Sequence, residues 1–174
     1  MFRSAVHSFG KQPVGSVRLV EGLGVEGDAH AGATVQHRSR VARTPELANL
    51  RQVHLIETEL LEDLATAHHM VRPGELGENI TTTGIDLLSL PVGTLLTFGE
   101  EAQIRLTGLR NPCWQIDRFQ AGLMKQVTVR DRDGGIIGFR GGAMAVVTRS
   151  GMVGPGDVIT VVLPPGPYVA LARV

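Results

Sequence analysis

Ala102-Gln103-Ile104-Arg105-Leu106-Thr107-Gly108-Leu109-Arg110-Asn111-Pro112-Cys113-Trp114 is the stretch on which the fold turns. Its first eight residues form a strand-like run whose Ile, Leu and Thr fit a pleated, half-buried surface. Asn111-Pro112 breaks the run with a turn-forming pair. Immediately after the break stands Cys113, the single cysteine of the 174 residues, at a strand end close to Arg110. Thiolate is the nucleophile, the sulfur carrier and the soft-metal ligand, and nearby positive charge favours it over the thiol. A lone cysteine also serves as a small packed hydrophobe, and position by itself leaves both uses open.

The rest of the chain repeats the β signature. Residues 79–83, 95–98, 144–148 and 158–163 are rich in Ile, Val, Thr and Leu, and 22 glycines and nine prolines punctuate the short apolar runs. Residues 5–9 and 16–20 read as further short strands, separated by the turn-forming Gly10-Lys11-Gln12-Pro13. Residues 31–50 lack periodicity and carry Arg38, Arg40 and Arg43, which predicts a long basic loop, a feature usually tied to function.

Helix is expected in one main place. Over residues 57–68, Leu60, Leu61, Leu64 and Ala67 make an apolar face opposite Glu57, Glu59, Glu62 and Asp63. The early acids suit the positive end of the helix dipole, and the helix must stop before Arg72-Pro73. Residues 52–56 fit either a strand or a first helical turn, and residues 112–130 suggest a short helical excursion after the cysteine. The simplest architecture is mainly β, a closed or nearly closed antiparallel β-barrel with one flanking helix. It would be a single domain over residues 1–163 with a C-terminal tail at 164–174.

Composition narrows the function. Seventeen basic and 17 acidic residues balance, so neither a nucleic acid nor a membrane is expected as a partner. The amino terminus lacks the apolar core of a signal peptide, and one cysteine suits the reducing cytoplasm.

Three further phrases carry candidate chemistry. In Gly74-Glu75-Leu76-Gly77-Glu78-Asn79-Ile80, the Glu78 carboxylate and the Asn79 amide suit the amino edge of a pterin or purine, although Asn also routinely bonds its own turn. Asp28-Ala29-His30, with His37 as a possible third ligand, matches no dedicated zinc spacing. His30 is better placed as a polar group at a cleft. No phosphate loop, dinucleotide fingerprint or serine elbow is present, which leaves the arginines of residues 38–51 as candidates for holding an anion.

Taken in order, Gly22-x-Gly24-x-x-Gly27-Asp28-x-His30, Arg51-Gln52-Val53, Pro73-Gly74 through Gly77-Glu78-Asn79-Ile80, Asn111-Pro112-Cys113, and Gly151 through Gly154-Pro155-Gly156-Asp157 resemble the MOSC domain. That module forms the C-terminus of molybdenum cofactor sulfurase. The resemblance implies a barrel-like β fold and two chemistries for Cys113: a thiolate ligand to molybdenum held by molybdopterin, or a persulfide carrier of sulfane sulfur. Under the first, the implied activity is reduction of N-hydroxylated or N-oxide substrates, with electrons from a separate donor protein. Arg38 and Arg51 would then meet the cofactor phosphate, Glu78, Asn79 or Asp117 the pterin edge, and Asp28 and His30 would stand in the substrate cleft. Under the second, the partner is a cysteine desulfurase, and no pyridoxal phosphate is expected in this chain. A third alternative is a non-catalytic barrel adaptor in which Cys113 only packs.

Overall fold

The computed structural model describes residues 1–36 and 44–174. Arg38 and His37 therefore lie outside the described residues. The fold is mainly β, built on a curled six-stranded sheet in the order β13-β7-β8-β11-β5-β6. Its members are β5 (Val53–Glu57), β6 (Ile80–Thr82), β7 (Leu95–Phe98), β8 (Ala102–Leu109), β11 (Ala143–Arg149) and β13 (Ile159–Val162). A three-stranded sheet, β12-β3-β4, faces it and nearly closes the barrel, with β3 at Val17–Val20, β4 at Gly24–Val25 and β12 at Gly151–Val153. β11 passes almost directly into β12, so one chain segment serves both sheets, and the Ser150 hydroxyl at the corner accepts the Glu21 amide. Gln52 ties the same seam: its amide nitrogen donates to the Gly22 carbonyl at 2.7 Å and its oxygen accepts the Val147 amide at 2.9 Å.

Burial alternates along β8, where Ala102, Ile104 and Leu106 point into the barrel, as the two-residue period of a strand requires. There they meet Leu19, Val53, Leu55, Leu96, Phe98 and Val147. β5 differs, because Val53, His54, Leu55 and Ile56 are all buried. Val53 and Leu55 enter the barrel core, while Ile56 faces outward into a second apolar cluster. A strand covered on both faces is what a parallel neighbour with a crossover helix produces. Accordingly β5 pairs with β6 in parallel, through helix α1 (Thr58–Thr66). Among the described strands every other pair is antiparallel, so this pair departs from the all-antiparallel expectation. The ambiguity over residues 52–56 resolves as strand.

Helix α1 buries Leu60, Leu61 and Leu64 against Ile56, Val71, Leu76, Ile116, Leu123 and Val127. It is shorter than the expected 57–68, since Glu57 still belongs to β5 and His68 adopts φ 62°. His68 thus serves the left-handed position that terminates many helices. The excursion after the cysteine consists of two short helices, α2 (Gln115–Phe119) and α3 (Leu123–Gln126). A hairpin follows, β9 (Thr128–Arg130) with β10 (Ile136–Phe139), and Arg140 beyond it forms an ion pair with Asp63 on α1.

The amino-terminal expectation is corrected. Residues 5–9 are not a strand; instead β1 (Phe2–Arg3) pairs with β2 (Gln12–Pro13), inside the stretch assigned to a turn. Side chains explain the difference. Ser4 donates to the Val6 carbonyl and Ser8 to the Gly10 carbonyl, local bonds that compete with a ladder, and Val6 is left largely exposed. The tail docks: Pro91 bridges Ala170, Leu109 bridges Arg173, and Leu171 is buried in the barrel core. Gly108 permits this, since a side chain there would collide with the Ala172 carbonyl and Val174. Among the described residues no helix is long and apolar enough to cross a membrane.

Candidate functional site

Beside β5, at the end of β8 and the start of β11, the barrel opens into a cleft of about 360 Å³. The amino-terminal loop contributes Phe9 and Lys11, the two arms of the long loop contribute His30, Val35, Leu47, Leu50 and Arg51, and the turn before β6 contributes Leu76 and Asn79. Cys113 and Gln115 close it on the side of α2. The arms are held as a short ladder: Thr34 bridges Ala48, the Val35 amide donates to the Leu47 carbonyl, and Asn49 Nδ2 reaches the carbonyls of His30 and Gly32.

Behind the cleft wall lies a buried charged cluster. Asp28 is 6% exposed, and its two oxygens accept from every side. Oδ1 takes the backbone amide of His30 at 2.9 Å and lies 3.1 Å from its Nδ1. Oδ2 takes Lys11 Nζ at 2.7 Å, Asn79 Nδ2 at 3.1 Å and the Ser4 amide at 3.2 Å. Burial by itself would raise the Asp28 pKa, but the bonds from His30 and Lys11 prevail and hold the carboxyl well below the usual carboxylate range. Burial also pulls the Lys11 ammonium below its ordinary value, opposed by Asp28. Asp28 therefore serves the cleft indirectly, by fixing Lys11 and His30, and is not itself on the cleft surface.

Asn79 stands on the cleft, but its amide is already engaged. Besides Asp28, Nδ2 reaches the Phe2 carbonyl at 3.2 Å, and Oδ1 accepts the His54 amide at 3.1 Å. Its neighbour Glu78 faces the other way, as adjacent residues entering a strand do. Glu78 is fully buried, off the cleft, with Oε1 accepting the Gly74 amide at 2.5 Å and Oε2 unpartnered. Burial raises its pKa, so the neutral acid is favoured there. Asp117 is also away from the cleft; its Oδ1 accepts the Met124 amide at 2.7 Å at the start of α3. The placement of Glu78 and Asp117 thus departs from the expected contact with a ligand edge, because each carboxylate serves the backbone of its own turn. Arg51 does line the cleft.

Two cleft residues went unnoticed in the sequence, and a third, Arg110, was marked only as a positive charge close to Cys113. Lys11 lay hidden in a turn signal. His54, on β5, is buried and lies with Nε2 2.8 Å from the Gly141 carbonyl, to which the neutral ring donates; burial and the Arg110 charge push its pKa well below the ordinary value. Arg110, at the end of β8, is buried with Nη1 lacking an acceptor. The available signal was a lone charged residue set in an apolar run, in Val53-His54-Leu55-Ile56 and in Gly108-Leu109-Arg110.

Cys113 is half-buried on the same cleft, with Sγ 3.3 Å from Gln115 Oε1. Asp28 and His30 do not form a metal site with it: among the described residues no group of three His, Cys, Asp or Glu is arranged to hold an ion.

The sequence profile of the MOSC domain matches residues 42–160. The chain belongs to the MOSC domain family. The structure of the YuaD protein from Bacillus subtilis is similar to this MOSC protein over 92% of the chain and 91% of its own, with a TM-score of 0.75 and 25% identity. YiiM from Geobacillus stearothermophilus gives a TM-score of 0.63 at 18% identity, covering 95% of this chain and 70% of its own. YiiM from Escherichia coli gives 0.55 at 22%, covering 89% of this chain and 66% of its own. At those identities the YiiM structures speak to the fold alone. Comparison with curated proteins yields no match.

Proposed function

We propose that this MOSC protein binds molybdenum cofactor in the cleft, with the Cys113 thiolate as the protein ligand to molybdenum. The observation that carries the reading is Cys113 itself, the one free thiol, opening onto a cleft whose deep lining is cationic and polar: Lys11, His54, Asn79 and Arg110. The donor set fits the group. A soft thiolate suits a metal already held by sulfur, and a buried arginine without an acceptor suits an anionic ligand. When bound, the cofactor would supply the metal through which electrons reach an N-hydroxylated or N-oxide substrate.

The residues of the chain would bind and orient. Cys113 holds the metal side of the cofactor. Arg51 on the cleft wall, and Arg38 beyond the described residues, offer charge to its phosphate. Phe9, Val35, Leu47 and Leu50 give an apolar wall against which a planar ring packs and from which water is excluded. His30, held by Asp28, presents its ring to the cleft with one nitrogen fixed, so the other is available to a substrate proton. Reduction of a hydroxylamine takes up two electrons and two protons and releases water, so the reaction needs an external electron-donor protein, and the thiol needs a reducing compartment such as the cytoplasm.

The test is the content of protein expressed in a host that makes the cofactor. Bound molybdenum together with pterin fluorescence is expected. Protein free of both, with a persulfide mass increment on Cys113 after incubation with a cysteine desulfurase, would replace this reading with the sulfur-carrier one. Neither signal would leave only the barrel adaptor.

A further inference from the structure

Arg110 is 9% exposed and lines the cleft, yet its guanidinium forms no hydrogen bond and no ion pair with any described residue. Two other buried groups nearby are satisfied. Lys11 is held by Asp28 at 2.7 Å, and the His54 Nε2–H donates to the Gly141 carbonyl. Cys113 and then Glu78 are the acidic groups that act most on it, but neither forms a hydrogen bond or ion pair with the guanidinium, and Glu78 Oε1 is occupied by Gly74. A buried donor without an acceptor is unfavourable unless something supplies one, and no described residue accepts from Arg110 Nη1. The backbone holds it in place: the Arg110 amide donates to the Gly142 carbonyl at 2.9 Å, at the end of a strand paired on both sides.

We propose that Arg110 is the anchor for a phosphate group on the ligand that enters the cleft. The planar fork of donors matches phosphate oxygens, which a lysine would meet only as a point charge. Burial makes such a contact stronger than the same contact at the surface, because screening by water is reduced. The phosphate has two possible sources, the cofactor or a phosphorylated substrate, and the site chemistry is common to both. This inference rests on the cleft being a ligand site, as proposed above, and is independent of the identity of any metal. It moves the principal anion contact from the long loop to the residue that ends β8.

Thermal unfolding of the full chain without cofactor, titrated with inorganic phosphate against sodium chloride at matched ionic strength, tests it. Wild-type protein should gain Tm with phosphate beyond the salt control. Arg110→Met should unfold at the same or a higher Tm without phosphate, since a buried donor lacking an acceptor is removed, and its phosphate response should weaken at least tenfold. If Arg110→Met does not fold, Arg110→Lys is measured in its place; it keeps the charge, loses the fork, and should respond several-fold more weakly. The pterin content of the variant from a cofactor-competent host separates the sources: a fall relative to wild type assigns the phosphate to the cofactor, and an unchanged content assigns it to the substrate. Wild-type protein that carries no pterin but loses its phosphate response on substitution would keep the anion site while removing the cofactor reading. A wild-type Tm indifferent to phosphate, or an equal phosphate response in the variants, would overturn the proposal.

Discussion

Replacing Asp28 with Asn tests the buried cluster that shapes the cleft. The amide keeps the size of the side chain but removes the carboxylate paired with Lys11 at 2.7 Å, in a site where the Lys11 side chain is 4% exposed. Lys11 must then stay charged without a counter-ion or give up its proton. Breaking a buried pair from one side typically costs ~3–5 kcal/mol. Deprotonation sets an upper limit: neutralising a lysine of ordinary pKa near ~10.4 at pH 7 costs about 1.4 kcal/mol for each of roughly 3.4 pH units, close to ~5 kcal/mol. That limit carries its own pH signature. In the variant the folded-state pKa of Lys11 is lowered further, so the unfolded chain binds more protons and stability rises with pH. By pH 9 the penalty should shrink to about 2 kcal/mol. Urea unfolding of wild-type and Asp28→Asn protein at pH 7, 8 and 9 measures this directly, and adding Lys11→Met to the variant should recover part of the loss. A loss below about 1 kcal/mol that is flat across this range would refute the argument that Lys11 depends on Asp28.

Leu64→Ala on α1 should cost ~2–5 kcal/mol by denaturant unfolding, since Leu64 is 2% exposed inside the outer apolar cluster. Gly142→Ala should lose at least ~2 kcal/mol, because Gly142 has φ 98° and a side chain there would strike the Leu55 carbonyl, with His54 Nε2 only 2.7 Å away; a thermal shift reads the effect. Glu78→Gln should raise Tm at pH 7 and leave it little changed near pH 4. The raised folded-state pKa of Glu78 means that wild-type stability falls as pH climbs from the unfolded carboxyl value through the folded one, and the amide has no such loss.

Much of the barrel was legible because its strands satisfy local rules. Residues 95–98 and 102–109 form strands with the expected limits, and residues 144–148 lie inside a longer one, since branched apolar residues at short spacing have few alternatives to a sheet. The order of the strands was not legible, nor was the parallel β5-β6 pair, because pairing across tens of residues leaves no local mark beyond the continuous burial of residues 53–56. Residues 5–9 misled because the strand propensity of a short apolar run is overridden by the hydroxyls of Ser4 and Ser8. On the cleft, Cys113, His30, Arg51 and Asn79 were marked by their phrases. Lys11 and His54 were not, and Arg110 was marked only as a charge beside Cys113, because their importance comes from burial, which the folded barrel creates.

The central claim is that Cys113 ligates molybdenum. X-ray absorption at the molybdenum edge, on protein purified from a cofactor-competent host, tests it most directly. Wild-type protein should show one sulfur neighbour more than the pterin dithiolene supplies, and Cys113→Ser, if it retains the metal, should lose that sulfur, because a serine oxygen is a harder ligand and ionises far less readily. An identical sulfur count in the two proteins would contradict the account.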